Sequence, residues 1–365
     1  VAFDYLHRVR RSAERTAEAG LDALVVTPGP DLQYLAGYDP PPLERLTALL
    51  VTPGAESILV VPELERLRAE ASPVGRAIHI DGWSDGDDPY ALVRSRLPAG
   101  GSFAVSDRMW ASHLIALQAG LPEATFGTAS GILSALRARK DQGEIHLLRR
   151  AARGADQAFN RISQDGLEGR TELDVARSLA AYLEEEGHES VAFTIVASGP
   201  NGASPHHEPG DRGIRDGDSV VMDFGGRVHG YCSDITRTIV VGPASDEIEE
   251  VHDIVRRAQD TAFQAVAPGV AAEEVDRAAR SVIEEAGYGD AFVHRTGHGI
   301  GLEEHEPPYI VRGNAEQLQE GMCFSLEPGI YLPGRFGVRI EDIVAVTAEG
   351  ADRLNHATRD LLAVG

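Results

Sequence analysis

Cysteine is nearly absent: Cys232 and Cys323 are the only two in 365 residues, too few for a disulfide scaffold and compatible with a reducing compartment. Each reads as a buried thiol packed like a small hydrophobe rather than as a ligand. Basic charge is also short. Lys and Arg number 34 against 57 Asp and Glu, a net charge of -23, so a nucleic-acid partner is not expected, because its phosphates would be repelled. No apolar run approaches a membrane span, and the opening VAFDYLHRVRR lacks the apolar core of a signal peptide. These absences predict a cytoplasmic protein with no membrane attachment. No glycine fingerprint sits between strand and helix in the first 130 residues or so, which leaves nucleotide binding without support there.

What is present is ordinary in bulk, 42% apolar and 25% charged residues, in a chain longer than one core usually organises. Two domains are expected, residues 1–135 and 136–365. The first alternates the amphipathic run VRRSAERTAEAG with short apolar strands, LDALVVTP, TALLVTPG, SILVVP and GSFAVSD, and reads as an α/β domain. The second opens on a helix that Asp141 and Glu144 would cap reciprocally. It contains an internal repeat: GRTELDVARSLAAYLEEEG from Gly169 aligns without gaps onto GVAAEEVDRAARSVIEEAG from Gly269. Each copy is a helix followed by an expected strand, VAFTIVAS and DAFVHRTG, so an α+β domain with a pseudo-twofold repeat and a site at the join is predicted.

The site candidates are acids in the wrong company. Asp223 lies within VVMDF, in the first arm of an expected hairpin, and Asp234 begins the returning arm. Glu327 in FSLEPGIYLP and Glu341 in VRIEDIVAV repeat the anomaly. Unpaired carboxylates among strand hydrophobes cost several kcal/mol or more unless cations or protons neutralise them. Arg237 points away, being an odd number of residues from Asp234. Four carboxylates with His298, from HRTGHGIGLEEHE, form a hard, oxygen-dominated set suited to two divalent ions such as Mn²⁺; Co²⁺, Zn²⁺ or iron would also be accepted.

The order Asp223, Asp234, His298, Glu327, Glu341, with EPGIY and RIED around the glutamates, resembles the pita-bread metallopeptidases. Within them it is similar to the branch of Xaa-Pro dipeptidase (prolidase) and aminopeptidase P, over residues 140 to 360. The resemblance implies that Asp223 chelates one metal, that His298 and Glu327 bind the other, and that Asp234 and Glu341 bridge them. It implies a nucleophilic hydroxide between the ions, Glu327 as proton carrier, and a homodimer. It also gives His206, in ASPHHEP, and His305 catalytic roles at the substrate, with His207 the less favoured neighbour of His206. His294 and His298 are four apart, but Gly297, Gly299 and Gly301 argue against a zincin helix, so His294 is expected beside the substrate or behind the ligands. Arg339, two residues before Glu341, is expected to steady the carboxylates.

One departure concerns the substrate. Many prolidases carry an arginine after the second histidine for the dipeptide's carboxylate, and HEPPYI places Tyr309 there. Arg312, or Arg45 from the first domain or a partner subunit, is the expected replacement. The function expected is hydrolysis of Xaa-Pro dipeptides. Aminopeptidase P, acting on longer peptides, is the alternative, followed by a catalytically inactive binding module or a metal-free creatinase-like hydrolase.

Overall fold

A computed structural model describes residues 3–365, which fall into two compact units, one ending at Arg137 and one spanning Ala138–Gly365. In the first unit the helix Tyr5–Glu18 is capped by the Asp4 side chain, which accepts from the His7 N–H at 2.9 Å. It stops before Gly20, whose φ of 70° suits the left-handed turn that follows a helix. Six strands, β1 (Ala23–Val26), β2 (Ala48–Val51), β3 (Ile58–Pro62), β4 (His79–Trp83), β5 (Ser102–Val105) and β6 (Thr125–Thr128), form one sheet in the order β4-β3-β2-β1-β5-β6. Every side chain of β1 and β2 is buried, which is why both read as unbroken apolar runs.

The second unit begins with the helix Gln142–Ile162, where Asp141 accepts from the Glu144 N–H and Glu144 from the Asp141 N–H, both at 2.9 Å. Its two halves are built alike. In the first, the helix Glu172–Glu185 buries Val175, Leu179 and Leu183 against β7 (Ser190–Ser198), β8 (Ser219–Val228) and β10 (Ile235–Val241). In the second, the helix Ala272–Glu285 buries Val275, Ala279 and Ile283 at the same spacing. They join a core made with the helix Asp246–Ala265, β13 (Cys323–Leu326) and β16 (Asp342–Thr347). The likeness extends to the backbone. Gly169, Glu172 and Leu173 donate to the carbonyls of Ile214, Arg212 and Gly210, while Gly269, Ala272 and Glu273 donate to those of Leu318, Glu316 and Asn314. The repeat in the sequence is therefore a repeat in hydrogen bonding, and the second unit has a pseudo-twofold construction.

The halves diverge after their helices. VAFTIVAS is β7, as expected, whereas DAFVHRTG is not a strand: a short 3₁₀ turn, Gly289–Ala291, leads into irregular chain until β11 (Gly297–Gly299). The reason lies in the second-repeat helix. Arg280 donates to the carbonyls of Phe292 (3.2 Å) and His294 (2.9 Å), and Asp276 accepts from the Thr296 N–H (3.2 Å). Side chains thus satisfy backbone groups that a neighbouring strand would otherwise pair.

Candidate active site

The hairpin comes first. β8 leads through His229 and Gly230, both at positive φ (50° and 81°) as a tight two-residue turn requires, into β9 (Tyr231–Cys232) and then β10. Asp223 pairs in register with Thr236 of β10. Asp234 lies two residues earlier than Thr236, so it is the diagonal neighbour of Asp223 on the same face. Gly225 lets the chain before Asp234 approach β8 closely, because a Cβ there would run into the Ser233 carbonyl.

The other half presents its acids from equivalent positions. Asp223 stands four residues into β8, counted from Ser219, and Glu327 stands four residues beyond Cys323, just past the end of β13. Glu341 sits between β15 (Phe336–Arg339) and β16, where its N–H donates to the Thr236 carbonyl at 3.0 Å. Thr236 Oγ1 donates to Glu341 Oε2 at 2.7 Å and accepts from Arg339 Nε at 3.1 Å. Thr238 Oγ1 donates to the Arg339 carbonyl and accepts from its N–H. These two threonines join the halves at the site. Arg237, between them, turns away as its parity requires, and its buried guanidinium donates to Asp342 Oδ1 and the Glu341 carbonyl, both at 2.6 Å.

All five expected ligands line one cavity of about 740 Å³, together with His206, His294, His305 and Arg339. One ligand atom each of Asp234, His298 and Glu341 lie within 4.8 Å of one another. Glu327 Oε1 is 3.2 Å from His298 Nε2 and accepts from Ser325 Oγ at 3.1 Å. Asp223 Oδ2 accepts from Arg339 Nη2 at 2.5 Å. Asp223 Oδ1, Asp234 Oδ1 and Glu341 Oε1 are buried with no hydrogen-bond donor among the described residues. Buried carboxylate oxygens seldom go unpartnered, and three of them in the cavity that His298 also lines, with Asp234, His298 and Glu341 at ligand spacing, fit a divalent cation.

Electrostatics agree. Burial first, then the charges of Glu341 and Asp223, pushes the Asp234 carboxyl well above the usual range, and burial with Glu327 and Asp223 does the same to Glu341. Glu327 rises to about 7, chiefly through burial, with Asp223 adding and Arg339 opposing. His298 falls to about 3 through burial and then the nearby His305. It is therefore neutral, and with Nδ1 donating to the Gly299 carbonyl at 3.2 Å its Nε2 lone pair faces the carboxylates, the tautomer a metal ligand needs.

Around this cluster runs a polar chain. Arg339 Nη1 donates to the Tyr331 hydroxyl at 2.8 Å, which in turn donates to His294 Nε2 at 2.8 Å, while His294 Nδ1 donates to the Arg295 carbonyl at 2.7 Å. Burial and then the Arg339 charge lower His294 to about 4. The paired histidines separate: His206 lines the cavity, whereas His207 turns to Glu172, 2.8 Å away. Glu172 also accepts from the Ser198 N–H, Ser198 Oγ and Asn201, which fixes the segment carrying His206.

Two expected residues do not line the cavity, and a third belongs to the first unit. Tyr309 faces His298 in the β11–β12 pairing, β12 being Glu306–Ile310, and does not line the cavity. Arg312 is exposed and paired with Glu284. Arg45, in the first unit, is held by Asp85 and Glu44. Sequence reasoning passed over Tyr331, Thr236, Ser325, Glu172 and Arg295, as well as Phe193 and Ile195, which supply an apolar wall. The period-2 pattern of VAFTIVAS puts Phe193 and Ile195 on one face and was the available signal for that wall.

Comparison with known proteins follows the same lines. Residues 146–348 match metallopeptidase family M24, and residues 8–139 match the creatinase/prolidase N-terminal domain. The chain is 46% identical to the probable dipeptidase PepE of Mycobacterium tuberculosis over 365 residues, covering 99% of this chain and 96% of that one. Among solved structures, dipeptidase PepE from Mycobacterium ulcerans matches with a TM-score of 0.96 at 44% identity, over the whole of both chains. A prolidase from Thermococcus sibiricus matches with a TM-score of 0.94 at 39% identity, again over both whole chains. With a pita-bread second unit behind a creatinase-type first one, the chain belongs to metallopeptidase family M24 and is a metal-dependent peptidase.

Proposed function

We propose that this protein is a dinuclear Xaa-Pro dipeptidase. The observation that carries the reading is the trio of buried carboxylate oxygens, without a donor among the described residues, that share a cavity with neutral His298. Asp223, Asp234, His298, Glu327 and Glu341 would hold two divalent ions, with Mn²⁺ favoured by an oxygen-rich set containing one imidazole. Such ions lower the pKa of water and polarise a carbonyl. The chain's own residues do the rest. Glu327, lining the cavity beside His298, is suited to take a proton and return it to the leaving amine. His305 and His206, on the cavity wall, would donate to the substrate carbonyl and to the tetrahedral oxygen formed on it. Phe193 and Ile195 would receive apolar substrate surface such as the pyrrolidine ring, whose tertiary amide and fixed φ call for a dedicated pocket. A cytoplasmic location, in keeping with two free buried thiols, and the homodimer implied by resemblance complete the proposal.

Aminopeptidase P is the second reading, supported by Tyr309 standing where a carboxylate-binding arginine would be. Hydrolysis of Leu-Pro is compared with Leu-Pro-Gly in the presence of Mn²⁺. Cleavage of Leu-Pro is expected; cleavage confined to the tripeptide would replace the dipeptidase reading with aminopeptidase P. Inactivity on both, with no stoichiometric metal by elemental analysis, would leave a binding module.

A further inference from the structure

His305 has little of its own to hold it in place. It is exposed, lines the cavity, and comes from a stretch with no helix or strand between β11 and β12. Its ring meets that of His298 edge to face, with centres 4.1 Å apart, and has no hydrogen-bond partner among the described residues. A donor that must reach a substrate carbonyl from such a stretch needs its backbone fixed, because a misplacement of about 1 Å can cost about 100-fold in rate.

The residues on either side of it are acids, and each is gripped by a cation from another element. Glu304 Oε1 accepts from Arg227 Nη2 at 2.7 Å, and Glu306 Oε1 accepts from Lys140 Nζ at 2.7 Å. Both cations stand on firm ground. Arg227 lies in β8, the strand that carries Asp223, and pairs in register with Ser190 and Cys232. Lys140 precedes the helix-capping Asp141, and its N–H donates to the Gly321 carbonyl at 2.8 Å. The stretch is also pressed onto the second pair: a Cβ at Gly301 would lie 2.6 Å from Glu306 Oε1 and 3.1 Å from Lys140 Cε. The Gly301 carbonyl in turn accepts from the Cys232 N–H at 2.8 Å.

Stability alone does not account for these pairs. Lys140 and Glu306 are buried, with side chains 1% and 4% exposed, and a buried pair is often no more stabilising than apolar side chains of the same volume. Arg227 and Glu304 are part-exposed, where an ion pair contributes little. What the two share is the residue between them. We propose that Arg227–Glu304 and Lys140–Glu306 form a two-sided clamp that sets where His305 meets the substrate, making all four positioning residues for the reaction. The proposal rests on the peptidase reading above, in which His305 donates at the substrate carbonyl.

The test measures hydrolysis of Leu-Pro and Leu-Pro-Gly by Mn²⁺-loaded wild-type enzyme, R227A, R227K and the charge-free double variant K140M/E306Q, each also in an H305A background. With His305 present, R227A and K140M/E306Q are each expected to lower kcat about 10- to 100-fold while KM moves by less than about threefold. R227K should regain part of the loss. In the H305A background the same changes should cost nothing further, since they act through a side chain already removed. Bound Mn²⁺, measured by elemental analysis, should be unchanged. Thermal melting checks the fold, and if K140M/E306Q does not fold, the part-exposed Arg227 arm decides the matter alone. Losses that multiply in the H305A background, an unchanged kcat, or bound Mn²⁺ that falls in step with activity would each overturn the proposal. A wild-type enzyme inert towards both peptides would instead sink the peptidase reading and the clamp with it.

Discussion

The two halves of the second unit solve one problem with different acids. Each must hold an irregular, histidine-bearing segment beside the ligands, and each does so with a buried carboxylate from its repeat helix. In the first half Glu172, at the start of the helix, gathers Ser198, Asn201 and His207 and so fixes the approach to His206. In the second, Asp276, one turn further along, pairs with Arg280 and takes the N–H and hydroxyl of Thr296, two residues before His298. The first arrangement is mostly neutral donors around one charge; the second is an ion pair. What was copied is the scaffold, and what diverged is the polar contact nearest the substrate.

The largest effect should come from the acids the halves contribute in equivalent positions. D223N and E327Q should each lower kcat/KM by more than about 100-fold and reduce bound metal, measured by elemental analysis, since even outer partners of a ligand cost that order. A large loss in only one variant would show that the halves are functionally unequal. Next come the helix acids. D276A leaves the Arg280 charge without its partner and should cost about 3–5 kcal/mol in chemical denaturation, whereas E172A strands mainly neutral donors and should cost about 1–3 kcal/mol. Equal costs would erase the distinction drawn between them.

The smallest effect concerns pH. Glu327 is raised from 4.5 to about 7, and Asp234 and Glu341 move in the same direction. A carboxyl whose pKa is higher folded than unfolded adds stability at low pH and loses it as pH rises through the folded value. The melting temperature of metal-free protein should therefore drop between about pH 5 and pH 8, and saturating Mn²⁺ should flatten the profile. A metal-free profile rising across that window would contradict the electrostatic account.

Much of this was legible in the sequence. Acids inside β-patterned runs marked Asp223, Asp234, Glu327 and Glu341, because charge among strand hydrophobes demands a reason, and the paired helices marked the repeat. The strand expected at DAFVHRTG failed because alternation reports only a residue's immediate neighbours, while Asp276 and Arg280 act from the preceding helix, 12 to 20 positions upstream. Tyr331, Thr236 and Ser325 escaped notice since hydroxyl residues are at home in any strand. Arg295 was invisible for another reason: a sequence does not reveal which arginines line a cavity.

The threonine seam carries a consequence for how this unit comes into being. Thr236 and Thr238 stitch β10 to the stretch from Arg339 to Glu341, more than a hundred positions downstream, so the pocket has no existence until both lobes have closed on each other. A nascent chain halted after the first lobe would own half a ligand set and no cavity. Ions that settle there would grip the two lobes like a rivet, making the catalyst and the fastener one and the same.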